Sequence, residues 1–190
     1  MHLSNGDNPV GKIIELKINL RNLSIQHWVN YEVFSWVWWI EIIISASMFV
    51  LWFSVVDKKH LRQIIIYGLL INISASFLDV LGSEFALWEY LVRIIPQIPL
   101  MYPVDFIILP IGNMIIYQYF VKWKKYLAVS LLSAAVLAFI LEPLSSAIHQ
   151  YKLISWKYIY SLPIYFVISI FAKFLTDKIT SIESKASMKK

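Results

Sequence analysis

Four carboxylates stand where carboxylates are expensive. Glu41, Asp79, Asp105 and Glu142 each interrupt a long apolar run, and an ionisable group in such a place marks where to look for function. Carboxyls in a low dielectric can carry protons, hold cations or act as general acids and bases. Their neighbours repeat at helical spacing. Asn72, Ser76, Asp79 and Ser83 form one helical stripe. Glu41 shares a face with Ser45, and Asp105 with Gly112. Glu142 lies above Ala138 and Ala135, small residues that let helices approach closely. Tyr158, Ser161, Tyr165, Ser169 and Ala172 make a further small or hydroxyl stripe. Arg93 and His149, in flanking loops, are candidate counter-charges. The candidate ligand-binding set is therefore Glu41, Asp79, Asp105, Glu142, Asn72, Arg93 and His149.

Each acid also has a plainer reading. Asp105 follows Pro103 at a helix start and could cap it. Glu142 precedes Pro143 near a helix end and could meet only headgroups and water. Asp79 could be hydrogen-bonded glue between helices, and His149 an exposed loop residue.

The elements that must position these residues are membrane spans. Hydrophobic residues are 59% of the 190-residue chain and charged residues 15%, with a mean hydropathy of +0.65. That is too little charge for the surface of a soluble domain. The expected fold class is an all-α polytopic transmembrane bundle of five spans over 33–176, at roughly 33–56, 63–83, 101–121, 126–146 and 158–176. Pro110 should kink or break the third. Residues 1–32 read as a polar N-terminal tail. Within it, Ile14, Leu16, Ile18 and Leu20 alternate with polar residues at strand period, while Ile13, Leu16, Leu20 and Leu23 fit a helix lying on the membrane surface, the preferred reading. Residues 177–190 read as a Lys-rich cytoplasmic tail.

Eleven Lys and Arg fall on one side of this arrangement, in 57–62, 122–125 and the C-terminal region, and six on the other. The richer side is expected to be cytoplasmic, with the N-terminus outside and the C-terminus inside. Counted along the spans at 1.5 Å per residue, all four acids then lie roughly 6–10 Å below the outer surface. One layer of acids is expected to line an outward-facing pocket.

The net charge of +5 belongs to membrane topology, so no nucleic-acid partner is expected. The chain has no cysteine, which excludes disulfides and thiol chemistry. No phosphate-binding loop, dinucleotide fingerprint or paired-histidine metal motif is present; no cofactor and no metal site are expected.

Several runs carry a resemblance. Tyr102-Pro103-Val104-Asp105, Pro110, Tyr117-Gln118-Tyr119-Phe120, Glu142-Pro143, Tyr151, Trp156-Lys157-Tyr158-Ile159-Tyr160-Ser161 with Pro163 and Tyr165, and the pair Trp38-Trp39 together resemble an uncharacterised family of small multi-pass membrane proteins of spore-forming Gram-positive bacteria. The resemblance covers roughly residues 28–170. It implies a bacterial plasma-membrane location and four to five spans, and it brings no activity with it.

Three functions stay open at this point. The acid layer suggests a binding protein, sensor or transport accessory for a cation, proton or small polar ligand, rather than an enzyme. Paired acids in an apolar pocket also suit an intramembrane enzyme acting on a lipid or isoprenoid. The small-residue faces suit a structural partner in the cell or spore envelope, meeting another membrane protein or a second copy of itself.

Overall fold

The computed structural model describes residues 9–96 and 100–188. Residues 1–8 and 189–190, assigned above to the tails, and residues 97–99 lie outside the described residues. The rest form an all-α bundle. Its helices are α1 (Pro9–His27), α2 (Trp36–Val55), α3 (Leu61–Glu84), α4 (Val104–Tyr119), α5 (Trp123–Ala147) and α6 (Tyr158–Ser187). Two three-residue strands, β1 (Trp88–Tyr90) and β2 (Tyr151–Leu153), pair antiparallel with Glu89 opposite Lys152.

Four helices, α2, α3, α5 and α6, are long and apolar enough to cross a membrane. Their outer faces carry Val50 and Phe53, Ile73 and Phe77, Leu132 and Ile140, and Val167 and Phe171, all exposed. An apolar surface that wide is a lipid surface, and the chain is a membrane protein. α4 is shorter, a five-residue wide turn followed by 11 residues of α-helix.

Helices α2 to α6 run alternately between two ends. The strand pair lies at one, here called the β end. At the far end, Gln118 donates to the Val55 carbonyl at 2.9 Å and accepts from Asp57 N at 3.1 Å. Arg62 and Glu183 pair there at 2.7 Å. The stretch from residue 177, a tail on sequence grounds, continues α6 to Ser187. Contacts to Glu183 and Asp177, which accepts from Tyr117 Oη at 3.0 Å, give it a reason to stay helical.

The core is polar as well as apolar. Tyr67 stacks on Tyr117 with centroids 4.4 Å apart, and its hydroxyl meets that of Tyr126 at 2.7 Å. Tyr126 donates on to the Ser169 carbonyl at 2.7 Å, and Ser169 Oγ donates to Asn113 Oδ1 at 2.9 Å. In lipid no water stands in for these partners, so the hydroxyls satisfy one another.

α1 is a helix over the stretch whose alternation also allowed a strand, and it buries none of its residues. The chain after it winds through a wide turn, Trp28–Glu32, before α2 begins. Ser35 caps α2 by accepting from Trp38 N at 3.3 Å.

Candidate functional site

Pro110 does not break α4. Proline lacks the N–H that the carbonyl four residues earlier would accept, and the chain absorbs the loss in a π turn over Val104–Ile108, closed by Leu109 N–H on the Val104 carbonyl. Pro143 repeats the device: the turn Leu137–Leu141 is closed by Glu142 N–H on the Leu137 carbonyl. Such turns recur at functional sites, and each here carries an acid. Asp105 lies within the first, and Glu142 follows the second. Pro103 stands at the N-cap of the first, with no side-chain capping bond of its own.

Two other turns close the β end. α3 and α5 both finish in a left-handed residue, Ala86 (φ 51°) and His149 (φ 59°). Leu87 N–H reaches the Gly82 carbonyl at 2.9 Å and Gln150 N–H that of Ser145 at 3.0 Å, which satisfies the last carbonyls of each helix. The chain reverses into β1 and β2, which lay Trp88, Tyr90 and Tyr151 over the bundle.

Beneath them is a cavity of about 350 Å³. Glu41, Asp79, Asp105 and Glu142 all line it, and among the described residues no Lys, Arg or His does. Most of the wall is aliphatic or aromatic, including Ile44, Leu78, Leu141 and Ile168. Among the described residues, no three His, Cys, Asp or Glu side chains converge closely enough to hold a metal ion.

The acids are held in different ways. Asp79 accepts from Trp88 Nε1 at 3.0 Å, from Tyr90 Oη and from Met101 N at 3.2 Å. Glu142 accepts from Tyr165 Oη at 2.7 Å, Ser161 Oγ at 3.1 Å and Tyr151 Oη at 3.4 Å. Three donors answer each of these two carboxyls. Glu41 accepts from Gln150 Nε2 at 2.5 Å through one oxygen, while its Oε2 is buried with no donor. Asp105 lies against the Asp79 carboxyl, and no N–H or O–H reaches its Oδ2. Glu41 is 4% exposed and Asp105 5%. The site therefore contains two filled acids and two with an unanswered oxygen. Burial above all, and then the Asp79 carboxylate, pushes the Tyr90 phenol well up. Burial and then Glu142 do the same to Tyr151, so both remain donors.

The other candidates lie elsewhere. Asn72 donates from Nδ2 to the Asp105 carbonyl at 3.0 Å and holds the turn rather than facing the cavity. Arg93 does not supply charge to the acids. It is taken up by Glu32, fully buried, through backbone N at 2.7 Å and Nη2 at 2.9 Å. His149 does not reach the cavity either; its backbone makes the turn and its side chain is exposed. Gln150, the next residue, is the one that enters. Sequence reasoning missed Gln150, Trp88 and Tyr90, which lie outside the apolar runs. No known protein family, curated protein or solved structure matches this chain, and the chemistry of the site rests on its own geometry.

Proposed function

We propose that this chain is a multi-pass protein of the bacterial plasma membrane, crossing five times with the β end outside, and that its cavity binds an organic cation. The observation that carries this reading is the composition of the wall: four carboxylates around an apolar volume that, among the described residues, no basic side chain enters. A buried anion without a counter-charge is costly. Glu41 Oε2 and Asp105 Oδ2 supply two unanswered acceptors, and Trp88, Tyr90, Tyr151 and Trp156 present aromatic rings to the same volume. Carboxylates and aromatic faces together suit an ammonium group on an apolar body. Alternation of the five helices between two ends, the basic residues gathered at the far end and the resemblance noted above support the topology and the location. α1, with its exposed Leu16, Leu20 and Leu23, suits the outer membrane surface.

The test compares decylammonium, decanol and decanoate as stabilisers of the detergent-solubilised protein. Ligand that binds only the folded state raises stability by mass action, about 2.7 kcal/mol at a hundredfold excess over Kd. Only decylammonium should do so, and Glu41→Gln with Asp105→Asn should abolish the effect. Equal stabilisation by all three probes, or an undiminished effect in the double variant, overturns the reading.

One observation favours a second reading. Asp79 and Asp105 meet carboxyl to carboxyl beside an apolar volume, and a proton shared by such a pair is a general-acid device fit to protonate an isoprenoid double bond. Lipid extracts of overexpressing and deletion strains would then differ; identical extracts reject catalysis.

A further inference from the structure

The cavity does not end at the acids. A second hollow of about 370 Å³ continues from it toward the far end, and the two share Ile108, Leu109, Leu137 and Leu141 in their walls. Its floor is α4 and its sides are α2, at Met48, and α5, as far as Val129. The helix packing makes this gap. α2 and α5 each pack on α4, but against each other they have at most a marginal contact. The floor is low because residue 112 is glycine: a Cβ built there meets nothing within 4 Å. The rim opens sideways, with Leu132 65% exposed. A groove with those properties faces lipid.

From Glu142 to Val129 along α5 is roughly 20 Å at 1.5 Å per residue. One leaflet of hydrocarbon is about 15 Å deep. Beginning at carboxylates that lie roughly 6–10 Å below the outer surface, groove and cavity together take one extended chain that runs past mid-membrane. We infer that the ligand is a single-chain ammonium amphiphile that enters sideways from the bilayer, its head among Glu41, Asp79, Asp105 and Glu142 and its chain over Gly112. This inference rests on the cation-binding reading above and adds the ligand's class and route. The occupant follows from the page: acids without a basic partner select the head, and an apolar trough continuous with them selects the tail.

A dodecylammonium probe with a terminal diazirine, photolysed on the protein in phosphatidylcholine nanodiscs, tests it. Adducts are expected on groove residues such as Met48, Val129 and Ser133, and unlabelled dodecylammonium should compete where dodecanoate does not. Gly112→Phe, which fills the trough, should cut groove adducts by about tenfold, as loss of ~1.4 kcal/mol of binding would, while butylammonium still stabilises that variant. If Gly112→Phe does not fold, Ser133→Phe blocks the trough from the α5 side. Adducts scattered over the lipid faces of α3 and α6, or unchanged in both variants, overturn the groove while leaving the head site intact. Failure of butylammonium to stabilise the unmodified protein sinks the head site, and the inference with it.

Discussion

Arg93 closes around Glu32 across 61 positions of sequence, through its backbone N–H and two guanidinium nitrogens. The pair ties the turn before α2 to the segment after β1. Trp28 Nε1 adds a bond to the Arg93 carbonyl at 2.8 Å. Glu32 is fully buried and the Arg93 side chain is 12% exposed. Breaking such a pair leaves buried Glu32 to His27 Nδ1, 2.8 Å away, and to the backbone N–H of residue 93, at a cost of up to about 3–5 kcal/mol. Arg93→Ala should lower unfolding stability by that order in a detergent melt. Arg93→Lys should recover little, because an ammonium cannot reproduce the guanidinium fork. Full recovery would show that net charge alone matters there.

The helix ends make a prediction of opposite sign. Ala86 and His149 both hold a left-handed backbone that favours glycine. Ala86→Gly and His149→Gly should each stabilise the protein by up to about 1 kcal/mol. If His149→Gly instead weakened decylammonium binding with the melt unchanged, its imidazole would belong to the site after all.

Glycine at 82 and 68 separates two kinds of crowding. A Cβ on Gly82 would lie 2.0 Å from the Trp88 ring, whereas one on Gly68 would lie 2.6 Å from Met114 Sδ. Trp88 is rigid and its indole holds Asp79, so Gly82→Ala should destabilise by about 1–3 kcal/mol and impair decylammonium binding. Met114 can swing away, and alanine gains about 1 kcal/mol of helix propensity, so Gly68→Ala should come out near neutral. Melts of the two variants decide this side by side.

How much of this was legible in the sequence depends on what each feature costs. The four carboxylates stand out because an acid in an apolar run has no cheap explanation. Their equal depth along the spans placed them in one layer, but spacing along a helix says nothing of how neighbouring helices are rotated, so the donors that answer each acid did not stand out. Glu32 was invisible: it lies outside the apolar runs, and Arg93, which closes around it, is 61 positions away. Lys173 counted merely as one basic residue on the richer side. It is 2% exposed, pairs with Asp177 at 3.1 Å and sits 4.8 to 5.1 Å from the rings of Tyr117, Trp123 and Tyr126. The four-residue step to Asp177 was its one available signal. The π turns had a signal too, in Pro110 and Pro143, but proline announces a disturbed ladder without saying whether the helix breaks or widens.

Alkaline titration probes the roof of the cavity. Tyr90 and Tyr151 both have their phenols raised above the ordinary value of 10.0, by burial first and by a neighbouring carboxylate second. A phenol raised in the fold binds its proton more tightly there than when unfolded. Its contribution is fully present below pH 10 and is lost as pH rises above it. Stability measured from about pH 8 to pH 11 should therefore fall most steeply beyond 10. Tyr90→Phe and Tyr151→Phe should flatten that fall, although each loses a hydrogen bond at neutral pH. An unchanged slope in the double variant would place the alkaline sensitivity elsewhere.

Topology can be read with unusual directness, because the sequence contains no cysteine to be removed first. Ser155 lies beyond β2 at the β end, and Lys124 begins α5 at the far end; both are exposed. Single substitutions Ser155→Cys and Lys124→Cys change neither the cavity nor the core. In intact cells a membrane-impermeant maleimide should label Ser155→Cys, and Lys124→Cys should react only after lysis. The reason is electrostatic: Lys58, Lys59, Lys122, Lys124 and Lys125 share the far end, and clustered cations in short loops are retained on the cytoplasmic side. The reverse labelling pattern would turn the acid cavity toward the cytoplasm. Its ligand would then have to come from the inner leaflet, although the groove over Gly112 would serve it equally well. Labelling of both sites from the same side would instead mean that α4, with its 11-residue α-helix, does not carry the chain across.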